Sequence, residues 1–224
     1  MKFQKTESKK VAQEVLVRAG KVNLEGSLVI PEKAIGIVLF AHGSGSSHLS
    51  SRNRYVAGEL NKVKVATLVF DLLTLEEEKI DIQTGNLRFN IEFLAERLIA
   101  ATKWAAEDTN TRNLALGYFG ASTGAAASLA AAAKLPTIIR AVVSRGGRPD
   151  LAEPWFSSVK APTLLIVGAL DTQVIGMNEQ AFNKLNTKKK LVIVPAASHL
   201  FEESGALEKV ALLARDWFLE YLKA

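Results

Sequence analysis

The sequence predicts an α/β fold with a mostly parallel, doubly wound sheet, and two patterns in the chain support this. Six apolar runs are largely unbroken, as expected for strands covered on both faces; they lie near 35–41, 65–71, 114–119, 138–144, 163–169 and 190–195. Segments of helical periodicity separate them, near 51–62, 87–107, 123–134, 175–186 and 206–222. Strands that alternate with helices in this way are typical of a parallel sheet with helices on both sides.

An antiparallel hairpin is predicted in front of this alternation. Two strand-like segments, Val15 to Val17 and Leu24 to Ile30, flank a turn at Ala19 to Lys21. Further along, 72–85 and 146–158 are expected to be loops beside the functional site. Within the first of them, the acidic run Glu76 to Glu78 is interpreted as a solvated loop or a helix start.

Length and composition favour one globular enzyme domain spanning 1–224, without a separate lid domain. Residues 1–10 are expected to be loosely ordered, and they lack the apolar centre of a signal peptide. We therefore expect a cytoplasmic protein that is monomeric or homodimeric and has no membrane partner. The net charge of +5 is spread along the chain, and its basic clusters have no interleaved aromatic residues, which argues against nucleic-acid binding. Because the chain has no cysteine, disulfides and thiol chemistry are excluded.

The segment Gly120 to Gly124, with the sequence GASTG, joins a predicted buried strand to an alanine-rich helix. A GxSxG sequence between a strand and a helix is typical of a sharp turn that holds a serine hydroxyl above the sheet. Glycine at both ends avoids the collision that a side chain would cause in so tight a turn. Ser122 is therefore the candidate nucleophile.

A serine nucleophile needs a base and an orienting acid, which in such folds follow it in the order Ser, Asp or Glu, His. Of the three histidines only His199 lies after Ser122, on the loop leaving the last predicted strand. Asp171 ends a buried strand, at the sheet edge where open α/β folds place their chemistry, and is the first candidate for the acid. Asp150 is the alternative, although it more readily fits a turn or a helix cap.

The oxyanion of acyl transfer needs two N–H donors. The residue after the nucleophile, Thr123, is expected to supply one, and Ser44 the other, from the loop HGSGSS that follows the strand 35–41. Only the backbone of Ser44 is needed. His42, in the same loop, is expected to brace it.

With these motifs the chain resembles the α/β hydrolase superfamily, and within it the dienelactone hydrolase-like group. The resemblance rests on HGSGSS, GASTG, GALDTQV and ASHLF and covers about Asn23 to the C terminus. It implies an α/β-hydrolase fold and hydrolysis without metal or cofactor. The chain departs from dienelactone hydrolases proper, because they use a cysteine nucleophile and this chain has serine at that position. The substrate implied is therefore a small ester in general.

Two further segments, RNRY at 52–55 and SRGGRPDL at 144–151, are shared with a subset of these hydrolases. Some relatives of that subset are joined to phosphoribosyltransferase domains, and no such domain is expected here. Arg145 and Arg148 are candidates to bind an anionic part of the substrate, since guanidinium groups pair bidentately with carboxylates. Trp155 is a candidate apolar wall.

The sequence thus predicts a serine hydrolase that cleaves a small carboxylic ester or lactone through an acyl-enzyme, with Ser122, His199 and Asp171 as catalytic residues. An acyltransferase or a peptidase would use the same residues. A binding or regulatory protein of this fold with little turnover remains an alternative. A nucleotide-binding module with Gly117, Gly120 and Gly124 as its phosphate loop is another, although its glycines would follow an unusually late strand.

Overall fold

The structure of the protein is a computed structural model that describes residues 12–223. The expectation of a loosely ordered segment at 1–10 lies outside these residues. In the described part of the chain eight strands form one sheet in the order β1-β2-β4-β3-β5-β6-β7-β8. Their bounds are β1 Gln13–Ala19, β2 Val22–Val29, β3 Gly36–Ala41, β4 Val65–Phe70, β5 Ala115–Ala121, β6 Ile139–Arg145, β7 Thr163–Gly168 and β8 Lys189–Val194.

The sheet is mostly parallel, as predicted. Strands β1 and β2 form the antiparallel hairpin, with Gln13 opposite Leu28 and Ala19 opposite Val22. Strand β2 also runs antiparallel to β4, whereas the pairs from β4 through β8 are parallel. The carboxyl ends of β3 to β8 therefore meet at one edge of the sheet, where the loops that carry the candidate residues are brought together.

Within residues 12–223, six α-helices cover the sheet: α1 Ser51–Lys62, α2 Leu75–Thr84, α3 Ile91–Glu107, α4 Thr123–Lys134, α5 Thr172–Lys184 and α6 Ala206–Tyr221. A 3-10 helix spans Pro149–Ser158. The central strands are buried along their whole length on both faces, and two apolar clusters fill the layers between sheet and helices. In α4, eleven of the twelve residues are buried, because small alanine side chains let this helix approach the sheet closely.

Three elements differ from the sequence-based expectation. Helix α2 occupies most of the predicted loop 72–85, so the acidic run Glu76 to Glu78 is a helix start, one of its two interpretations from the sequence. A capping box stabilises the start of this helix: the Thr74 hydroxyl accepts from the Glu77 N–H, and the Glu77 carboxylate accepts from the Thr74 N–H. Asp81 is its only buried residue, so α2 shows no apolar stripe in the sequence. The predicted loop 146–158 contains the 3-10 helix, and α3 begins at Ile91 because the Asn90 side chain caps it.

No helix within residues 12–223 combines the length and the apolar character needed to cross a bilayer.

Candidate active site

Ser122 lies at the turn between β5 and α4, with backbone angles φ 51° and ψ −122°. A positive φ is strained for a residue with a side chain, and such strain is typically kept where function requires it. Steric contacts explain why both ends of the motif are glycine. A Cβ at Gly124 would stand 2.1 Å from the Ala41 carbonyl oxygen, and one at Gly120 would stand 2.4 Å from the Ala125 Cα.

Backbone hydrogen bonds with the end of β6 and the residues after it hold the turn in place. The Ser122 N–H donates to the Arg145 carbonyl at 3.3 Å, and the Arg148 N–H donates to the Ser122 carbonyl at 3.1 Å. A serine at a helix N-cap normally uses its hydroxyl to cap the helix. Ser122 occupies this position of α4, but its side chain makes no capping hydrogen bond, so the hydroxyl is free for other chemistry.

Asp171 and His199 lie on adjacent loops, after β7 and after β8. Their side chains join through a hydrogen bond of 2.6 Å between His199 Nδ1 and Asp171 Oδ2. Because a carboxylate accepts, Nδ1 carries the proton in this bond, which leaves Nε2 of a neutral imidazole able to take one up. The Asp171 side chain is 15% exposed and the His199 side chain 39%. The imidazole is therefore accessible to solvent, while the carboxylate is largely shielded from it.

The imidazole of His199 lies near the end of β6, the strand next to β5. A Cβ built on Gly146 would be 3.5 Å from His199 Cε1. Within the described residues no hydrogen bond joins Ser122 to His199. Catalytic hydrogen bonds are often long in the absence of substrate and tighten in the complex.

Asp150, the alternative acid, has a different partner. Both of its carboxylate oxygens bond with the guanidinium of Arg148, with Nε–Oδ1 2.9 Å and Nη2–Oδ2 2.8 Å. This bond raises the pKa of Arg148, an effect that burial opposes. The carboxylate bonded to His199 is thus that of Asp171.

Ser44 and Thr123 face each other across the mouth of the turn, with 3.1 Å between their hydroxyl oxygens. Neither of their backbone N–H groups donates to another residue of the described chain. The N–H of Thr123 lies in the first turn of α4, where helix amides have no intrahelical acceptor and the helix dipole favours an anion. Two free amides on neighbouring backbones are what an oxyanion requires.

His42 braces the loop that carries Ser44. Its Nδ1 donates to the Gly43 carbonyl at 2.9 Å, while its Nε2 accepts from the Leu72 N–H at 3.0 Å. Because Nε2 accepts a hydrogen bond, the ring is neutral, and burial lowers the pKa of His42, which the hydrogen bond to Gly43 only partly opposes. The loop is also close to the turn, since a Cβ at Gly43 would stand 2.9 Å from Ser122 Cβ.

A second histidine–carboxylate pair was missed by the sequence reasoning. The carboxylate of Asp71, just after β4, accepts from the backbone N–H of His48 at 2.6 Å and bonds with its Nδ1 at 2.7 Å. Together with the exposed Glu25, these residues form a group whose potential metal-ligand atoms lie within 4.8 Å of one another. No sequence motif marks the group, because its members come from β2, from the loop before α1 and from the end of β4.

The segments RNRY and SRGGRPDL meet beneath the loop that carries His199. Arg145 Nη2 donates to Asn53 Oδ1 at 3.4 Å, and its guanidinium lies 5.9 Å from the centre of the Phe201 ring. Arg52 forms an ion pair of 3.1 Å with Glu202. Burial, with a contribution from the charge of Arg52, lowers the pKa of Arg145 to about 10. Both segments thereby connect α1 and β6 to the residues that follow His199.

The three residues predicted to bind substrate have different surroundings in the structure. Arg145 is buried, Arg148 is paired with Asp150, and Trp155 packs at the edge of the larger apolar cluster from the 3-10 helix. None of them lines the cavity of about 230 Å³ that opens beside Ser44 and Thr123. Their role in substrate binding stays a prediction.

The fold is the α/β-hydrolase fold. The Dienelactone hydrolase family profile matches residues 26–222, and the chain belongs to this family. A crystal structure of a dienelactone hydrolase from Anabaena variabilis is 58% identical with a TM-score of 0.94, covering 96% of this chain and 100% of that one. Est1E from Butyrivibrio proteoclasticus has the same fold at 16% identity, with a TM-score of 0.78 and coverage of 92% and 98%.

Two proteins of Mycobacterium tuberculosis, from strains CDC 1551 and H37Rv, are 56% identical over 210 residues and carry the name phosphoribosyl transferase. The match covers 94% of this chain but only 46% of those proteins. The chain therefore spans about half the length of the curated relatives it matches.

Proposed function

We propose that this protein is a serine hydrolase that cleaves a small carboxylic ester or lactone through an acyl-enzyme intermediate. Membership of the dienelactone hydrolase family supports hydrolysis in general. The observation that supports the serine mechanism most strongly is the strained turn at Ser122, whose hydroxyl is free of capping bonds. The His199–Asp171 pair on neighbouring loops of the same sheet edge supports the choice of base and acid.

In the first half of the reaction, Ser122 Oγ attacks the carbonyl carbon of the ester while His199 Nε2 takes its proton. The carbonyl oxygen becomes an oxyanion, which the amides of Ser44 and Thr123 stabilise. His199 then returns the proton to the departing alcohol oxygen, and the C–O bond to the alcohol breaks. Asp171 holds the Nδ1 proton throughout and stabilises the imidazolium.

In the second half, water attacks the acyl carbon and gives a proton to His199, which passes it to Ser122 Oγ as the acid leaves. The same groups serve both steps, so one site suffices. A serine in place of the cysteine of dienelactone hydrolases proper keeps this chemistry but makes the nucleophile dependent on its base, because a hydroxyl is far less acidic than a thiol.

The experiment is a steady-state comparison of wild type and Ser122→Ala on a p-nitrophenyl ester. We expect kcat to fall by at least about 10⁴-fold, since neither the nucleophile nor a substitute remains. Thr123→Ser serves as the matched control, because it changes the neighbouring side chain and keeps its amide. If Ser122→Ala retained wild-type turnover, the serine mechanism would have to be abandoned.

The acyltransferase and peptidase alternatives share these residues and differ in the acceptor or the leaving group, so a substrate panel separates them. A binding protein with little turnover would show no reaction of Ser122 with a fluorophosphonate, because such probes label only an activated serine. For a nucleotide-binding module, titration with NAD or ATP would show binding. The glycines that a phosphate loop would use have a packing reason in this fold. At Gly117, for example, a Cβ would stand 2.9 Å from the Phe218 ring.

A further inference from the structure

The cavity of about 230 Å³ opens between the loop 43–46 and helix α2. Its apolar wall is formed by Leu72, Leu73, Ile82 and Leu94. Water occupies about 30 Å³ per molecule in the liquid, so this space corresponds to about seven or eight water-sized groups. A straight acyl chain of about six carbons has comparable bulk.

The position of the cavity indicates which part of an ester it receives, if the proposed function holds. The leaving oxygen must face His199, which protonates it, and the carbonyl oxygen must face the amides of Ser44 and Thr123. The cavity is lined by Ser44 and Thr123 but not by His199 or Asp171. The remaining substituent of the carbonyl carbon, the acyl chain, is therefore the part that enters it.

Five ionisable side chains line the cavity, and four of them have hydrogen-bond partners in the described chain: His42, Asp71, Asp81 and Arg88. Asp81, which is 3% exposed, binds Arg88 through Nε–Oδ2 at 2.6 Å, and its backbone carbonyl accepts from Arg88 Nη2 at 2.8 Å. Both oxygens of Asp71 bond with His48. The pair of Asp81 and Arg88 carries no net charge into the cavity.

Glu78 is different. It is half-buried on the face of α2 that lines the cavity, and within the described chain it forms no ion pair. His42, which also lines the cavity and interacts electrostatically with Glu78, is held neutral by its two hydrogen bonds and so supplies no compensating charge. Glu78 therefore presents a negative charge to whatever occupies the cavity.

We propose that Glu78 determines specificity, so that the site accepts uncharged and cationic acyl chains and disfavours chains that end in a carboxylate. A like charge brought into a partly closed cavity is repelled more strongly than in water, because the low-dielectric walls screen it less. Arg88 does not reverse this, since Asp81 occupies its Nε and Nη2.

The test compares esters with the same leaving group and nearly the same acyl length: p-nitrophenyl hexanoate, the p-nitrophenyl monoester of adipic acid, and p-nitrophenyl 6-(trimethylammonio)hexanoate. For wild type at pH 7 we expect kcat/KM for the adipate ester to be roughly 10- to 100-fold below that for hexanoate. Glu78→Gln should raise the adipate-to-hexanoate ratio by at least about fivefold and lower the trimethylammonio-to-hexanoate ratio.

The matched control is Glu76→Gln, because Glu76 is exposed on the same helix and does not line the cavity. It should leave all three rates as in wild type. The proposal is overturned if wild type prefers the adipate ester, or if Glu78→Gln and Glu76→Gln give the same ratios. Failure of the proposed function would give a different result, because hexanoate hydrolysis would then persist in Ser122→Ala.

Discussion

Replacing Asp171 by asparagine removes the charge opposite His199 while keeping the shape of the side chain. The Nδ1–Oδ2 distance of 2.6 Å places the two charge centres about 4 Å apart once His199 is protonated. Their attraction is about 1 kcal/mol at the dielectric constant of water and about 4 kcal/mol at an effective constant of 20.

Because Asp171 is largely covered and His199 is partly exposed, the attraction lies between these limits. A loss of about 3 kcal/mol corresponds to roughly 10²-fold in rate. An asparagine amide can also donate to Nδ1, which favours the tautomer with the proton on Nε2 and prevents that atom from acting as a base. We therefore expect kcat to fall by roughly 10²- to 10⁴-fold.

The assay is stopped-flow or steady-state release of p-nitrophenol, with thermal unfolding to show that each variant is folded. The matched control is Asp150→Asn, which breaks a partly exposed ion pair with Arg148 and should cost at most about 1 kcal/mol of stability and little activity. If Asp150→Asn lost more activity than Asp171→Asn, the assignment of the acid would be wrong.

Three other changes test the turn, the oxyanion donors and the cavity wall. Gly124→Ala should lower the free energy of unfolding, measured in urea, by more than about 3 kcal/mol, because its Cβ would meet fixed backbone oxygens. Gly58 has open space around it, so Gly58→Ala should raise the free energy of unfolding by about 0.5 to 1 kcal/mol. Equal effects of the two substitutions would contradict the steric argument. Ser44→Ala should keep kcat within about tenfold of the wild-type value, since the backbone N–H remains. Ser44→Pro removes that N–H and should lower kcat by roughly 10²- to 10³-fold. An equal loss in both variants would indicate that the Ser44 hydroxyl, and not its N–H, is the group that matters. Burial alone would raise the pKa of Asp81, but hydrogen bonds, chiefly from Arg88, hold it below its ordinary value, so Asp81→Asn should cost about 2 kcal/mol at pH 7. That stabilisation is present above the pKa of the unfolded state and is lost as the pH falls below about 4, so urea titrations should show the variant and wild type converging there; a constant difference would contradict it.

The sheet and most helices could be predicted from the sequence, because burial on both faces leaves unbroken apolar runs such as 36–41 and 163–168. Helix α2 could not be found in this way. It buries one polar residue, Asp81, and its start depends on a reciprocal pair of hydrogen bonds between Thr74 and Glu77. The motif Thr-x-x-Glu was nevertheless visible in the sequence and is a recognised helix start.

For the candidate site, the residues tied to local motifs were accessible from the sequence. Ser122 is marked by its flanking glycines, and His199 is the only histidine after it. Pairings between distant side chains were not accessible, because no periodicity encodes them. The bond of His48 to Asp71 is one example, and the position of Glu78 on the cavity wall is another. Both depend on how α2 and the loop before α1 pack over the end of β4.

The measurement that tests the central claim most directly is mass spectrometry of the protein after reaction with a fluorophosphonate, followed by peptide mapping. We predict a single adduct on Ser122 in wild type, no adduct in Ser122→Ala, and greatly slowed labelling in His199→Ala, since the hydroxyl reacts only when its base is present. An adduct on another residue, or none at all while the wild-type protein still hydrolyses an ester, would contradict the account.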